Sequence, residues 1–195
     1  MHWDEVTKRE RLTKRLRRLS KPKIVSFAGG CAAHVLERFE REQSLQSTPY
    51  VRDVAGTLKR FWSDLRSSPQ AAARQVLVLQ PLIPDDDAGD EDALLPGRYD
   101  LVMAAIYACE CAEKPDAEKA LDAAAHAYQA IYDLELRPNE ISRAEPELDA
   151  AERSNAACRE ELAFQLRYLI VLEELPADSP ADFTIVRQAL PGHTG

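Results

Sequence analysis

Apolar residues recur along this chain at steps of three and four, the spacing that lines one face of an α-helix. The first stripe is Leu12, Leu16 and Leu19, and it predicts a helix over about residues 4–19. Ser20-Lys21-Pro22 ends it, and Pro22 suits the first turn of a second helix reaching about residue 43. That helix carries Val25, Cys31 or Ala32, Val35, Leu36 and Phe39 on one side. Gly29-Gly30 in its interior costs roughly 1 kcal/mol per glycine relative to alanine. The pair implies either close approach of a neighbouring helix or a local break.

Polar residues 44–49 read as a loop. A third helix over about 50–66 turns Val54, Leu58, Phe61, Trp62 and Leu65 inward, and Ser67-Ser68-Pro69 marks a stop and a new start. A fourth helix covers about 70–80. Its Val76-Leu77-Val78-Leu79 is equally compatible with a short buried strand, because periodicity cannot separate the two over four residues. A fifth helix, 98–113, has a small-residue face of Leu101, Ala104, Ala105, Ala108 and Ala112. Pro115 opens a sixth, 115–136, with Ala120, Ala124, Ala127, Ile131 and Leu134 in register. The seventh and longest spans about 145–175. Its end, 166–172, is apolar almost all round, which predicts a path through the middle of the bundle. Pro176 and Pro180 break the chain before a short helix over 181–190 and a frayed tail, 191–195. No linker or internal repeat divides these elements. The expectation is one all-α domain over residues 1–195, a single bundle of seven or eight helices.

Composition narrows the class. With 195 residues, 45% of them hydrophobic and 30% charged, the chain is an ordinary soluble domain. Such a length buries roughly 70% of the surface its unfolded form exposes, enough to fold without a metal or disulfide staple. Seven glycines and 7% aromatics argue against a turn-rich β-sandwich or a glycine-loop nucleotide fold. No apolar run approaches the ~20 residues of a membrane span. Four cysteines make no dense disulfide framework, which points to the reducing cytoplasm. The N-terminus is basic but lacks a secretory apolar core, and Asp4, Glu5 and Glu10 count against a transit peptide.

The formal net charge of −8 conceals a split. Residues 1–23 hold nine Lys/Arg against three acids, a net of +6; the other 172 hold 16 basic and 30 acidic side chains, a net of −14. So acidic a body repels nucleic-acid phosphate and attracts basic partners. Its densest run, Asp85, Asp86, Asp87, Asp90, Glu91 and Asp92, lies in an expected loop over 85–97 and is the candidate interaction surface. The basic first helix is expected to lie across the acidic body; its other reading is a nucleic-acid or membrane-surface helix.

Chemistry-bearing residues form no recognisable catalytic set. Cys31 and His34 share a helix face, whereas Cys109 and Cys111 point about 200° apart and cannot hold one ion on an intact helix. Buried packing is the expected role of all four cysteines, including Cys158. A nucleophile would pair Cys31 or Cys158 with His34 or His126 and need a third, orienting group. Glu160-Glu161, Glu173-Glu174, Asp100, Glu110 and Glu113 read as ordinary members of an acid-rich chain. P-loop, dinucleotide, zincin, nucleophile-elbow and EF-hand signatures are missing. No catalytic residue, metal ligand or cofactor is expected.

Six blocks together resemble the YjaG-like family of uncharacterised bacterial proteins. They are LRRLSKPKIVSF (16–27), CAAHVLERFE (31–40), LKRFWSDL (58–65), QVLVLQPLIPDDD (75–87), YDLVMAAIYACECAE (99–113) and EELAFQLRYLIVLEEL (160–175). Their order and spacing carry the likeness over roughly residues 12–190. The resemblance implies an all-α fold and transfers no activity. Gly29-Gly30 and the long basic first helix depart from that pattern. The CAAHVLERFE block and the alanine-rich helices are also similar to all-α immunity proteins of polymorphic toxin systems, whose acidic members neutralise basic toxins. The expected function is therefore non-enzymatic: binding a protein partner, a basic toxin on the immunity reading. The alternatives are an enzyme with a Cys/His or carboxylate site, and polyanion or membrane binding through residues 1–20.

Overall fold

A computed structural model describes residues 3, 8–42, 48–84, 96–136, 145–176, 179 and 182, and every regular element among them is helical. In chain order these are α1 (Arg9–Leu16), α2 (Lys21–Arg41), α3 (Pro49–Leu65), α4 (Pro69–Ala73), α5 (Val76–Leu79) with a 3₁₀ turn (Gln80–Leu82), α6 (Arg98–Glu113), α7 (Ala117–Glu135), α8 (Glu145–Ser154) and α9 (Ala156–Glu174). Residues 76–79 are thus helix, not strand.

Four helices pack around α2. Every residue from Lys23 to Ala33 is buried, so three turns of this helix touch protein on all sides. Helices α3, α6, α7 and α9 are its neighbours. Gly29 and Gly30 make this possible, and the helix passes through them unbroken. A Cβ on Gly29 would lie 2.8 Å from both Phe61 and Trp62 of α3; one on Gly30 would lie 2.1 Å from the Tyr168 ring of α9. Tyr168 is seated there by polar contacts one turn earlier. Its hydroxyl donates to the Ser26 carbonyl (3.0 Å) and lies 2.6 Å from Ser26 Oγ. The two glycines therefore give up helix propensity for backbone approach.

Helices α6 and α7 form a close hairpin through buried Ala104, Ala105 and Ala108 on one side and Ala120, Ala124 and Ala127 on the other. Gly97 precedes α6 with a left-handed backbone (φ 74°), and a Cβ there would lie 2.5 Å from the Ala130 carbonyl oxygen.

Several boundaries differ from the sequence expectation, each for a local reason. Helix α7 opens on Asp116, which accepts from the amides of Glu118 (2.8 Å) and Lys119 (3.3 Å), and Pro115 stands just outside. The fourth helix is two short ones. Ser68 caps α4 by accepting from Ala71 N, and the chain turns at Arg74-Gln75 before α5. The long seventh helix is also two: Asn155 adopts an extended backbone and its side chain accepts from Cys158 N (3.0 Å), which ends α8 and starts α9. Nor is α9 the central helix. Tyr168, Leu169 and Leu172 are buried, but Arg167 and Ile170 face outward, Ile170 at 44% exposure. Described helix α1 begins at Arg9. The expected helix over 181–190, Asp182 apart, and the tail 191–195 lie outside the described residues.

Two glycine substitutions should move stability in opposite directions. Alanine at Gly30 gains about 1 kcal/mol of helix propensity but overpacks a fully buried tyrosine, which typically costs about 1–3 kcal/mol. Gly30→Ala should therefore lower the free energy of urea unfolding. Gly56→Ala, whose nearest obstruction is Arg60 Nη2 at 3.9 Å, should raise it by up to about 1 kcal/mol. A stabilised Gly30→Ala would contradict the close approach.

Candidate functional site

Three features of the body bear on function: a docked basic helix, two buried carboxylate–imidazole pairs and an open groove. The first settles the position of α1. Leu12 and Leu16 are buried, and three arginines close onto the body's own acids. Arg9 meets Asp122 (2.7 Å) and Glu118 (3.5 Å) of α7, and Arg17 meets Glu118 (3.3 Å). Arg15 grips Glu173 of α9 with two parallel bonds, Nε to Oε1 (2.8 Å) and Nη2 to Oε2 (2.7 Å). That fork holds the Glu173 carboxyl below its ordinary range and the Arg15 guanidinium above its own. Exposed pairs of this kind contribute about 0–1 kcal/mol each, whereas burying a leucine contributes about 1.5–3 kcal/mol. The leucines hold the helix down and the arginines choose its seat.

The second feature was illegible in the sequence. Glu161, 1% exposed, places Oε2 2.5 Å from His34 Nδ1. Its other oxygen accepts from Gln165 Nε2 (2.7 Å), which also donates to the Ala124 carbonyl (2.8 Å). Gln165 Oε1 in turn accepts from the indole N–H of Trp3 (2.8 Å), a fully buried side chain. Burial disfavours the imidazolium of His34. The charge and hydrogen bond of Glu161, with Glu37 nearby, outweigh that effect and the opposing Arg41, so the His34 pKa lies above its ordinary value. The His34 ring also stacks on Phe164, centroids 3.8 Å apart. In a second pair, Asp100 is held 2.6 Å from His126 Nδ1, with His126 stacked on Tyr107. Asp100 and Glu161, which the sequence presents as ordinary acids, are buried anchors of histidines. Their partners stand 26 and 127 residues away, and no local pattern signals such pairing.

The thiols take no part in these pairs. Cys31, Cys109, Cys111 and Cys158 are free and buried. Desolvation pushes Cys109 and Cys158 up to about 12 and Cys111 up to about 11, and Cys31 is raised well above the ordinary thiol range. Both described imidazoles face carboxylates, and no thiol–imidazole hydrogen bond occurs among the described residues. No cluster of three or more potential metal ligands occurs among the described residues either.

The third feature is a groove of about 830 Å³ between α2 and α3. Buried Leu36, Leu58 and Trp62 form its floor. Glu37, Glu40 and Arg41 line it from α2, Lys59 from α3 and Arg66 from the C-cap of α3, and Arg41 pairs with Glu37 at 3.4 Å. Burial, then the Glu37 charge, raises the pKa of Glu40. Charges of both signs over an apolar floor can hold a group that is itself partly polar. Arg66 also reaches Asp182 at 3.7 Å.

The candidate surface acids Asp85, Asp86, Asp87, Asp90, Glu91 and Asp92 lie outside the described residues. No described helix is long and apolar enough to cross a membrane. Comparison with known proteins finds no matching family model, no similar curated protein and no similar solved structure.

Burial and raised pKa values make a definite expectation for the thiols. At mildly alkaline pH, a disulfide probe such as DTNB should leave all four unreacted in the native protein and titrate four after denaturation. Rapid native reaction of Cys31 or Cys158 would reopen a nucleophilic role.

Proposed function

We propose that this protein acts non-enzymatically, binding a basic protein partner through its anionic exterior, in the manner of an immunity protein that neutralises a bacterial toxin. The observation that carries this reading is the fate of the basic segment. Arg9, Arg15 and Arg17 are spent on internal carboxylates, and the residues beyond position 23 hold 30 acids against 16 basic side chains. An unneutralised excess of carboxylates faces a partner before the partner arrives. Such a field speeds encounter with a basic surface and rejects polyanions. Membership of the YjaG-like family and a cytoplasmic location, where free buried thiols stay reduced, belong to the same proposal.

The test is recovery of a partner from the native host by the full chain. Changing Asp85, Asp86, Asp87, Asp90, Glu91 and Asp92 together to Ser should reduce recovery at least about tenfold, and the wild-type complex should weaken steeply as salt is raised. Equal recovery by both chains would remove the loop from the account; salt-insensitive recovery would remove the anionic exterior. On the immunity reading, a toxin gene should stand beside this one in the native genome and co-expression should protect cells from its product; no such neighbour, or failure to protect, would contradict it.

A further inference from the structure

From Arg98 to Cys109 every residue of α6 is buried except Tyr99, Met103 and Tyr107, which follow one another at steps of four. The outward face of a helix ordinarily carries charged and polar groups, so an aromatic strip in that position marks a surface for something outside the molecule. We propose that this strip, together with His126 of α7, seats an arginine side chain of the basic protein partner. The proposal rests on the reading above that the partner is basic, and it gives that partner a point of attachment.

His126 makes the strip continuous. Its ring stacks on Tyr107, centroids 5.3 Å apart and 16° from parallel, and meets Tyr99 edge-on at 6.1 Å. Oδ1 of buried Asp100 lies 2.6 Å from His126 Nδ1 and fixes the imidazole in that place. Tyr99 and Tyr107 stand eight residues apart on α6, about 12 Å along its axis, and the three rings cover that span. Tyr99 is the open end of the strip, 48% exposed, while Met103 and Tyr107 pack partly against the core. The rings are thus held ready before any partner arrives, which lowers the ordering cost of binding.

Charge selects the occupant. Burial, then the charges of Asp122 on α7 and Glu110 on α6, push the Tyr107 phenol above its ordinary pKa against the opposing Lys119. The field at this ring is therefore negative, as the π face itself is. The chain's own cations gather at the same edge: Arg9 lies 2.7 Å from Asp122, and Lys119 lies 2.8 Å from Glu110. An apolar strip in a negative field suits a cation that is flat and weakly hydrated. A guanidinium meets both conditions and stacks on aromatic faces, whereas a lysine ammonium is a compact, strongly hydrated point charge.

The probes are a fluorescein-labelled oligo-arginine peptide and an oligo-lysine peptide of equal length, titrated with the full chain at low salt and mildly alkaline pH and read by anisotropy. The wild type should bind the arginine peptide more tightly. Changing Tyr99→Leu and Tyr107→Leu together keeps the net charge and an apolar surface but removes two π faces. That double variant should weaken arginine-peptide binding about fivefold to thirtyfold and lysine-peptide binding by less. Should it lose native far-UV ellipticity, Tyr99→Leu alone decides, with an expected loss of about twofold to fivefold. Unchanged arginine-peptide binding, or an equal loss for both peptides, would overturn the proposal and leave the anionic exterior standing. Binding of neither peptide by the wild type would overturn both readings. Wild-type dimers that dissociate on Tyr99→Leu would assign the strip to a second copy of this chain and overturn the proposal as well.

Discussion

Backbone approach at the centre of the bundle is the constraint from which the rest follows. Helix α2 can be surrounded only because Gly29 admits the Phe61 and Trp62 rings and Gly30 admits Tyr168. A larger residue at either place would push out α3 or α9. With those helices seated, Cys31 and Ser26 are enclosed, and Glu161 is carried inward on α9 to meet His34. The alanine-lined hairpin of α6 and α7 encloses Cys109, Cys111 and Asp100 by the same close packing.

That packing divides the side chains by role. Thiols, histidine anchors and most aromatic rings are drawn inward, where desolvation raises the thiols and pairing satisfies the carboxylates. Most other described charges lie toward the exterior, with Lys23, Arg98, Asp133 and Glu152 as buried exceptions. On that exterior the basic helix neutralises a small part of the charge, at Asp122, Glu118 and Glu173. Its arginines act less as an anchor than as an address, because each exposed pair contributes less than one buried leucine. Arg11, Lys14 and Arg18 remain exposed on the outer side of the same segment.

Helical periodicity carried the fold, because an amphipathic stripe is written within each segment. It located α2, α3, α6 and α7 to within a few residues and left Gly29-Gly30 as either a close approach or a local break, between which only the packing against Phe61, Trp62 and Tyr168 decides. It failed where a single polar side chain decides. Asn155 and Asp116 cap helices through bonds to amides two or three residues on, and a stripe that continues past them conceals the break. It failed too over the centre of the bundle, since the run 166–172 looks apolar in composition while its outward positions are set by packing. The buried polar line was beyond reach. Trp3 and Gln165 are 162 residues apart, and only the folded chain brings them together.

The central claim is that the basic segment is closed on the body and the molecule presents itself as an anion. Chromatography of the intact chain at mildly acidic pH and low salt, on immobilised polylysine and on immobilised heparin in parallel, measures this most directly. Retention by polylysine, released by salt, with passage through heparin is the outcome that the charge distribution dictates. Retention by heparin with passage through polylysine would mean that residues 1–23 face outward as a polyanion-binding arm, and the account would be wrong.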